Sequence, residues 1–223
     1  LKDDVHTTVT AQFAVMATGG IGRVYDYTTN SAIATGDGIA MAYDMGAEIR
    51  NLSLIQFHPT AYNNKESREC FLISESVRGE GAYLLNCNKE RFMQNYDERL
   101  ELAPRDVVSR SIILESRKTN SDEFYLDIRY KGKEYLSNRF PMIYDFLKTQ
   151  GIDMGEDLIP IFPCQHYLMG GINVNTSAQT DINGLYAVGE CSHTGVHGNN
   201  RLASNSLLEA LVFGHRAAID MSE

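Results

Sequence analysis

The sequence has no run of the roughly 20 apolar residues that a membrane-spanning helix requires, so a spanning protein is not predicted. It also lacks an excess of positive charge, because 20 lysines and arginines stand against 29 aspartates and glutamates, which gives a formal net charge of -9. A broad surface for nucleic acid or anionic membranes is therefore not expected. The net charge does not exclude a local basic pocket.

Cysteine is scarce, and the four residues show neither C-x-x-C spacing nor a regular framework: Cys70, Cys87, Cys164 and Cys191. We interpret them as separate thiols in a reducing, cytoplasmic compartment rather than as disulfides. His58 and His166 form no i, i+4 pair, so a zinc site is not predicted. A G-x-S-x-G motif is absent as well, which disfavours a serine hydrolase.

The dinucleotide-binding fingerprint G-x-G-x-x-G is also missing. The nearest segment is Gly19-Gly20-Ile21-Gly22, which has neither the spacing nor the helical run that should follow it. We predict a turn there. If the chain holds a dinucleotide cofactor, its pyrophosphate loop is expected outside these residues.

The 223 residues include 43% hydrophobic and 22% charged residues, which is the composition of a globular protein. At about 150 residues per domain, the length predicts about one and a half domains. The sequence begins with Leu1 rather than methionine and ends at Glu223, shortly after a strongly helical run. We therefore expect an internal fragment of a longer protein.

Strands, glycine-rich turns and helices follow one another at both ends of the chain. Residues 9–20 predict a strand ending in a turn, residues 39–45 a helix closed by Gly46, and residues 52–60 a strand that ends in a loop at His58-Pro59-Thr60. Residues 184–190 predict another strand, and residues 205–219 a helix. This order is typical of a nucleotide-binding α/β sheet.

The middle of the chain, from about residue 61 to residue 163, is richer in charge. It predicts two helices, in PRDVVSRSIILESR and RFPMIYDFLKTQG, with a short strand FYLDIRY between them. On the first helix, the apolar residues Val107, Val108, Ile112 and Ile113 are expected on one face. The chain is thus interpreted as an α/β segment, an inserted middle and the α/β segment resumed.

Polar residues gather where predicted strands end or helices begin. Residues 193–201 carry two glycines, two histidines and two asparagines, which favours a backbone that closely approaches a ligand over an ordinary surface loop. Together, His58, His166, Arg105 and Arg201 predict a cationic site for a small carboxylate, although each alone is more often structural. Arg105 begins a helix, an unfavourable place for a cation unless an anion lies there.

The start of the last helix has two interpretations. Ser204 or Asn205 is a natural N-cap, and capping alone accounts for these residue types. The alternative is that the first N–H groups of this helix face an anion or a developing negative charge.

Longer motifs cover essentially the whole chain in the order of one known family. The segments FHPTAY, LISESVRGEGAYLLN, RFM, ELAPRDVVSRSI, HYLMGGI, GLYAVGE and TGVHGNNRLASNSLLEALVFG resemble the succinate dehydrogenase and fumarate reductase flavoproteins, in the branch that oxidises L-aspartate. Residues 72–75, 102–106 and 201–205 carry the resemblance to that branch. Asn199, where the family usually has alanine, and Ser192-His193 depart from the pattern beside the expected site.

The resemblance implies an α+β fold. A capping domain of the fumarate reductase flavoprotein type would be inserted between two pieces of an incomplete Rossmann-like α/β FAD-binding domain. The implied boundaries are residues 1–51 and 166–223 for the FAD-binding domain and residues 52–165 for the capping domain, which would close over the substrate.

The implied activity is oxidation of L-aspartate to iminoaspartate by non-covalently bound FAD, with oxygen or fumarate as the acceptor. This is the first step towards quinolinate and NAD, so quinolinate synthase is a candidate partner. Because the fingerprint is missing, we expect this chain alone to bind FAD weakly and to be inactive. The alternatives are a succinate dehydrogenase or fumarate reductase flavoprotein subunit and an inactive scaffold piece.

The resemblance also assigns residues to substrate and catalysis. His58, His166 and Arg201 would clamp the two substrate carboxylates. Arg105 would move a proton when fumarate is reduced.

Ser74 and Glu75 match the region of the family's pocket that distinguishes aspartate from succinate. Glu75 would face the amino group of aspartate.

For the cofactor, Glu190 matches the family's acidic residue that bonds to the ribityl chain of FAD, and Asp37 is a second candidate. Asn205, Ser206 and Leu207 would bring the start of the last helix to the pyrimidine end of the flavin.

Overall fold

The computed structural model describes residues 7–64 and 66–223, so the first six residues of the predicted FAD-binding domain lie outside it. The strands are β1 (Ala14–Met16), β2 (Ile49–Arg50), β3 (Ile55–Tyr62), β4 (Tyr83–Leu85), β5 (Phe124–Asp127), β6 (Ile159–Leu168), β7 (Gly171–Asn173), β8 (Leu185–Ala187) and β9 (Ser192–His193). The helices are α1 (Asp37–Asp44), α2 (Glu75–Gly79), α3 (Arg105–Thr119), α4 (Lys133–Arg139), α5 (Pro141–Thr149) and α6 (Asn205–Asp220).

The elements predicted near the two ends are confirmed, with shorter strands than the sequence suggests. β1 and β8 occupy the centres of the predicted strands, and α1 and α6 lie where the helices are predicted. Gly46 follows α1 with φ 91°, a left-handed conformation that glycine adopts without steric penalty. The N–H of Gly46 donates to the carbonyl oxygen of Tyr43 at 2.9 Å, which closes the helix.

The loop predicted at His58-Pro59-Thr60 is wrong, because β3 continues through these residues to Tyr62. Proline cannot donate a ladder hydrogen bond, and β3 continues past Pro59 through the bonds of the residues that follow: Thr60 O accepts from the N–H of Ile73, and the N–H of Tyr62 donates to the carbonyl oxygen of Phe71. His166 likewise lies inside β6 and not at the end of a strand. Both histidines are therefore held by strands.

The middle helices and strand are confirmed as α3, α5 and β5. The predicted apolar face of α3 is only partly right. Val108 and Ile112 are buried, whereas Ile113 is 45% exposed. Each residue turns the helix by about 100°, so Ile113 is rotated away from the face that Val108 and Ile112 share.

The described chain divides into two compact units. The first comprises residues up to Ile21, Thr35–Ile55 and Leu168–Glu223, and the second comprises Gly22–Ala34 and Gln56–Tyr167. The domain boundaries predicted from the sequence, after residues 51 and 165, remain a prediction. They differ from this division chiefly in that residues 22–34 group with the second unit.

The first unit is built on two small sheets. β1 and β8 form a parallel pair in which Val15 is opposite Tyr186, and β2, β7 and β9 form the other sheet. α1 covers a core that includes Ile39, Ala42 and Ile172. Among residues 7–64 and 66–223, no helix combines the length and the apolar character that crossing a bilayer requires.

The second unit contains the four-stranded sheet of β3, β6, β5 and β4, together with α2 to α5. Its core is large: Leu126 of β5, Ile161 of β6 and Ile112 of α3 are almost completely shielded from solvent. The hydroxyl of Ser109 on α3 donates to the carbonyl oxygen of Phe57 on β3 at 3.2 Å. This contact places the second turn of α3 beside the first half of β3.

Candidate functional site

Arg105 is the centre of a polar cluster in the second unit. It is the first residue of α3 and is only 7% exposed. Its Nε donates to Glu75 Oε2 at 2.6 Å, and its Nη1 donates to Gln56 Oε1 at 3.1 Å. The sequence argument requires an anion beside a cation at a helix start, and Glu75 supplies one.

A second guanidinium approaches the same carboxylate. Arg78, on α2, is 1% exposed, and its Nη2 lies 3.8 Å from Glu75 Oε1. Its Nη1 donates to the carbonyl oxygen of Glu101 at 2.5 Å. Burial lowers the pKa of Arg78 from its ordinary value, while the negative charge of Glu75 opposes this change. The carboxylate of Glu75, whose side chain is 39% exposed, thus contacts two buried guanidinium groups and also the solvent.

Ser74 fixes the position of Glu75. It is the N-cap of α2, and its Oγ accepts hydrogen bonds from the N–H of Ser76 at 3.2 Å and from the hydroxyl of Ser76 at 2.9 Å. Glu75 is therefore the first residue of α2, where a negative charge is favourable.

His58 and His166 lie next to each other in the second unit. Their ring centroids are 5.1 Å apart with an angle of 64° between the planes. His58 is fully buried, and its Nδ1 accepts from the N–H of Thr60 at 3.3 Å. The Oγ1 of Thr29 lies 2.6 Å from His166 Nδ1. The structure thus brings together two of the histidines that the sequence suggested for carboxylate binding.

Sequence reasoning missed several polar partners in this cluster. Gln56 precedes His58 by two positions and is buried like it, so it shares the face of β3 that carries His58. If the predicted strand had been continued through Pro59, it would have placed Gln56 and His58 on the same face. Arg78 follows Glu75 by three positions on α2, which is a spacing that the helix period brings together. Thr29 carries no signal in the sequence.

Glu190 is the chemically unusual group of the first unit. It follows β8, and β8 runs parallel to β1, so the carboxyl ends of both strands open at the same edge. This is the edge at which α/β sheets bind ligands. Burial raises the pKa of Glu190 to about 7, although the N–H of Leu168, which donates to its Oε1 at 3.0 Å, and the charge of Arg201 oppose the change.

Gly20 makes room for this carboxyl group. A Cβ atom added to Gly20 would collide with Glu190 Oε1 and would lie 2.5 Å from its Cδ. The missing Cβ of Gly20 therefore lets Glu190 pack against the backbone. The turn predicted at residues 19–22 is not found at the glycine pair, because residues 17–21 are irregular, with Gly19 at φ 73°, and a short 3₁₀ helix follows at Gly22–Val24.

The start of α6 lies near Arg201, which is 5% exposed. Arg201 Nη1 donates to Ser206 Oγ at 3.3 Å. Ser204, the N-cap, adopts a left-handed conformation with φ 69°, and the N–H of Asn205 donates to the carbonyl oxygen of Leu202 at 3.3 Å. The N–H of Leu207 donates to the carbonyl oxygen of Ser204 at 3.2 Å. The Leu207 N–H is therefore already hydrogen-bonded within the first turn of α6.

The loop of residues 193–201 is anchored by α6. Glu209 is buried and accepts a short hydrogen bond from the hydroxyl of Thr194. Its other oxygen, Oε2, lies 2.7 Å from His197 Nε2. The nitrogen Nδ1 of His193 lies 3.0 Å from the carbonyl oxygen of Met169. These contacts hold the loop in a defined conformation.

Asp37 is the first residue of α1 and is exposed to solvent. A carboxylate at this position is favoured by the helix dipole whether or not it binds a ligand. In the part of the chain that the structure describes, no group of three or more histidine, cysteine, aspartate or glutamate side chains could hold a metal ion.

Comparison with known families gives a match over most of the chain. The family described as the FAD binding domain matches residues 2–207. The chain belongs to this family of FAD binding domains. Its sequence is 51% identical over 222 residues to the L-aspartate oxidase of Clostridium perfringens and 50% identical over 214 residues to that of Vibrio cholerae. The matches cover 99% and 96% of this chain, but only 49% and 40% of those enzymes.

Solved structures agree with this family. A variant of the E. coli quinol fumarate reductase FrdA is 43% identical, with a TM-score of 0.84 over 91% of this chain and 37% of that chain. The Mycobacterium smegmatis Sdh1 in complex with UQ1 is 39% identical, with a TM-score of 0.75 over 94% of this chain and 35% of that one. The fold is therefore the FAD-binding fold of the succinate dehydrogenase and fumarate reductase flavoproteins.

Proposed function

We propose that this chain forms part of an L-aspartate oxidase, which converts L-aspartate to iminoaspartate with oxygen or fumarate as the final acceptor. The contact between Glu75 and the buried Arg105 supports this activity most directly. It places an anion that can meet an ammonium group next to a cation that can meet a carboxylate, and L-aspartate carries both groups. The reaction would be the first step of NAD synthesis through quinolinate.

FAD, when bound, would take the hydride from C2 of L-aspartate. The residues around Glu190 fit such a group, because a buried carboxyl with a pKa of about 7 can donate a hydrogen bond to a cofactor oxygen or accept one from a hydroxyl. Glu190 would hold the ribityl chain, and Asn205, Ser206 and Leu207 would lie at the pyrimidine end of the ring. Asp37 is a further candidate for binding FAD.

Arg105 would also serve proton transfer when fumarate is the substrate. A free guanidinium hardly deprotonates, so a nearby group must return the proton to it. Glu75 is suited to this task because its Oε2 lies 2.6 Å from Arg105 Nε and its side chain is 39% exposed to solvent. Ser74 would position Glu75 through the cap of α2.

As the resemblance implies, His58, His166 and Arg201 would bind carboxylate groups of the substrate. We further propose that residues 52–165 act as a capping domain inserted into the FAD-binding domain of residues 1–51 and 166–223. Closure of such a domain would exclude water from the reacting atoms.

A chimaeric enzyme tests the proposed activity. This chain replaces the matching segment of the Clostridium perfringens L-aspartate oxidase, and the purified protein is assayed for peroxide release with L-aspartate and with succinate. We expect oxidation of L-aspartate. If the chimaera folds, is yellow with bound FAD and oxidises succinate alone, the proposed substrate is wrong.

A single substitution in the chimaera tests the role of Glu75. Glu75→Gln removes the charge that would meet the amino group, and hydrogen bonds to charged groups contribute about 1.5–3 kcal/mol. We expect kcat/KM for L-aspartate to fall by about 10- to 100-fold. The matched control is Glu98→Gln, which changes an exposed carboxylate of the same unit. Equal activity of the two variants would contradict the role of Glu75.

A second candidate function is that of a succinate dehydrogenase or fumarate reductase flavoprotein subunit, which the similarity to the fumarate reductase structure favours. The succinate assay separates the two. We also propose that the enzyme acts in the cytoplasm, with quinolinate synthase as a partner.

We propose that the 223-residue chain by itself holds FAD weakly and is inactive, because its sequence lacks the G-x-G-x-x-G fingerprint. It would then be a scaffold piece of the whole enzyme. A colourless preparation without aspartate-dependent peroxide release is the expected result. A yellow preparation that releases peroxide would refute this proposal.

A further inference from the structure

Four short segments of the second unit pair with one another in a closed cycle. Thr28 bridges to Glu69 on one side and to Gln165 of β6 on the other. Leu72, three residues after Glu69, bridges to Ala61 of β3, and β3 pairs with β6. The cycle therefore runs from residue 28 to segment 69–72, then to β3, β6 and back to residue 28.

Two cysteines occupy opposite segments of this cycle. Cys70 lies on segment 69–72 and Cys164 lies on β6, and both pack into one small apolar cluster with Ala61, Tyr27 and Phe162. Cys70 is 5% exposed and Cys164 2% exposed. The two thiols are close enough for each to shift the pKa of the other. Opposite strands in so narrow a cycle bring inward-facing side chains within reach of each other, as a disulfide requires.

The surroundings distinguish the two thiols. The neighbouring Cys164 thiol and the positive charge of Arg23 lower the pKa of Cys70 below its ordinary value, although burial opposes this change. The proximity of Cys70 and burial raise the pKa of Cys164. Cys70 also directly follows the exposed residues 66–69. It is therefore the thiol that a small oxidant would meet first, and the more reactive of the two.

We propose that Cys70 and Cys164 form an oxidation site, which hydrogen peroxide converts into an intramolecular disulfide. The Cys70 thiolate attacks one oxygen of peroxide, the O–O bond breaks, and sulfenic acid and hydroxide form. Cys164 then attacks the oxidised sulfur, so that an S–S bond forms, the S–O bond breaks, and the thiol proton and the departing hydroxide leave as water. Two thiols lose two electrons, and one peroxide becomes two waters.

The disulfide would tie β6 to segment 69–72 close to His166, which lies two residues after Cys164. Gln165 already connects this part of β6 to residue 28, because its Oε1 accepts from the Thr28 hydroxyl at 2.5 Å. The reduced protein has the four cysteines as free thiols. The proposed modification thus adds a reversible covalent link to a segment that carries a candidate substrate ligand.

The test treats the reduced 223-residue chain with hydrogen peroxide and then counts thiols after denaturation. We expect two of the four thiols to disappear, and mass spectrometry of the unreduced digest to show a peptide that links Cys70 to Cys164. Dithiothreitol should restore both thiols. Because peroxide is added directly, the outcome does not depend on the proposed oxidase activity.

Serine variants assign the order of the steps. In Cys164→Ser, peroxide should leave Cys70 as a sulfenic acid that dimedone traps, whereas in Cys70→Ser no cross-link should form. Cys191→Ser, which alters a buried cysteine of the first unit, should still form the cross-link. The proposal is overturned if the wild-type chain keeps Cys70 and Cys164 as thiols while Cys87 is oxidised, or if Cys70 is oxidised without a bond to Cys164.

Discussion

Replacing Glu190 by glutamine should stabilise the protein, and the gain should grow with pH. Burial raises the pKa of this carboxyl from 4.5 to about 7 in the folded chain. Below pH 4.5 the group is neutral in both the folded and the unfolded state and costs no stability. As the pH rises towards 7, the unfolded state loses the proton first, so the folded state becomes less stable.

The magnitude follows from the pKa difference. One pKa unit corresponds to 1.36 kcal/mol, so the complete loss above pH 7 is about 3 kcal/mol. At pH 5 only about 1 kcal/mol of it has occurred, because only the unfolded state has begun to ionise. Glutamine keeps the acceptor for the N–H of Leu168, which bonds to Glu190 Oε1 at 3.0 Å, but it carries no charge to bury.

Urea unfolding, followed by far-ultraviolet circular dichroism between pH 5 and pH 8, measures this difference. The free energy of unfolding of Glu190→Gln should exceed that of the wild type by about 1 kcal/mol at pH 5 and by about 3 kcal/mol at pH 8. Glu223→Gln, which alters an exposed carboxylate of the same unit, is the control. A difference between Glu190→Gln and wild type that is the same at every pH would refute the argument.

Three further substitutions test the packing. Gly20→Ala should cost about 1–3 kcal/mol because its Cβ would collide with Glu190, and in a Glu190→Ala background most of that cost should vanish in a thermal melt. Leu126→Ala should cost about 2–5 kcal/mol in urea unfolding, whereas Leu102→Ala, at an exposed site, should cost little. Ser74→Ala should cost about 1 kcal/mol, measured as faster hydrogen exchange in α2, because the cap of α2 is lost.

The regular elements could be predicted from the sequence because their signals are local. The α3 helix follows Pro104, and its apolar spacing needs no information from elsewhere in the chain. The course of β3 through Pro59 could not be predicted in the same way. Whether a proline ends a strand depends on the segments that flank it, and the hydrogen bonds that Thr60 and Tyr62 of β3 make with residues 71–73 are a property of the whole fold.

The candidate site was only partly accessible to sequence reasoning for a related reason. The unfavourable start of α3 pointed to an anion beside Arg105, but its source, Glu75, lies 30 residues away in sequence. The same holds for Cys70 and Cys164, which show no recognisable spacing and meet only because four segments close into a cycle. Contacts over such distances are set by topology, which residue patterns do not encode locally.

Glu190 connects the stability argument with the proposed function. Above pH 7, the Glu190 carboxyl lowers the free energy of unfolding by about 3 kcal/mol. Its structural role alone does not explain this residue, since glutamine could accept the same hydrogen bond from Leu168. The fold nevertheless adapts to it, because Gly20 leaves the space that the carboxyl fills. Groups that reduce stability at neutral pH without a structural gain are typical of ligand sites. The position of Glu190 at the carboxyl edge of the parallel pair β1 and β8 is where such a ligand is expected, so the stability cost and the proposed contact with FAD have one explanation.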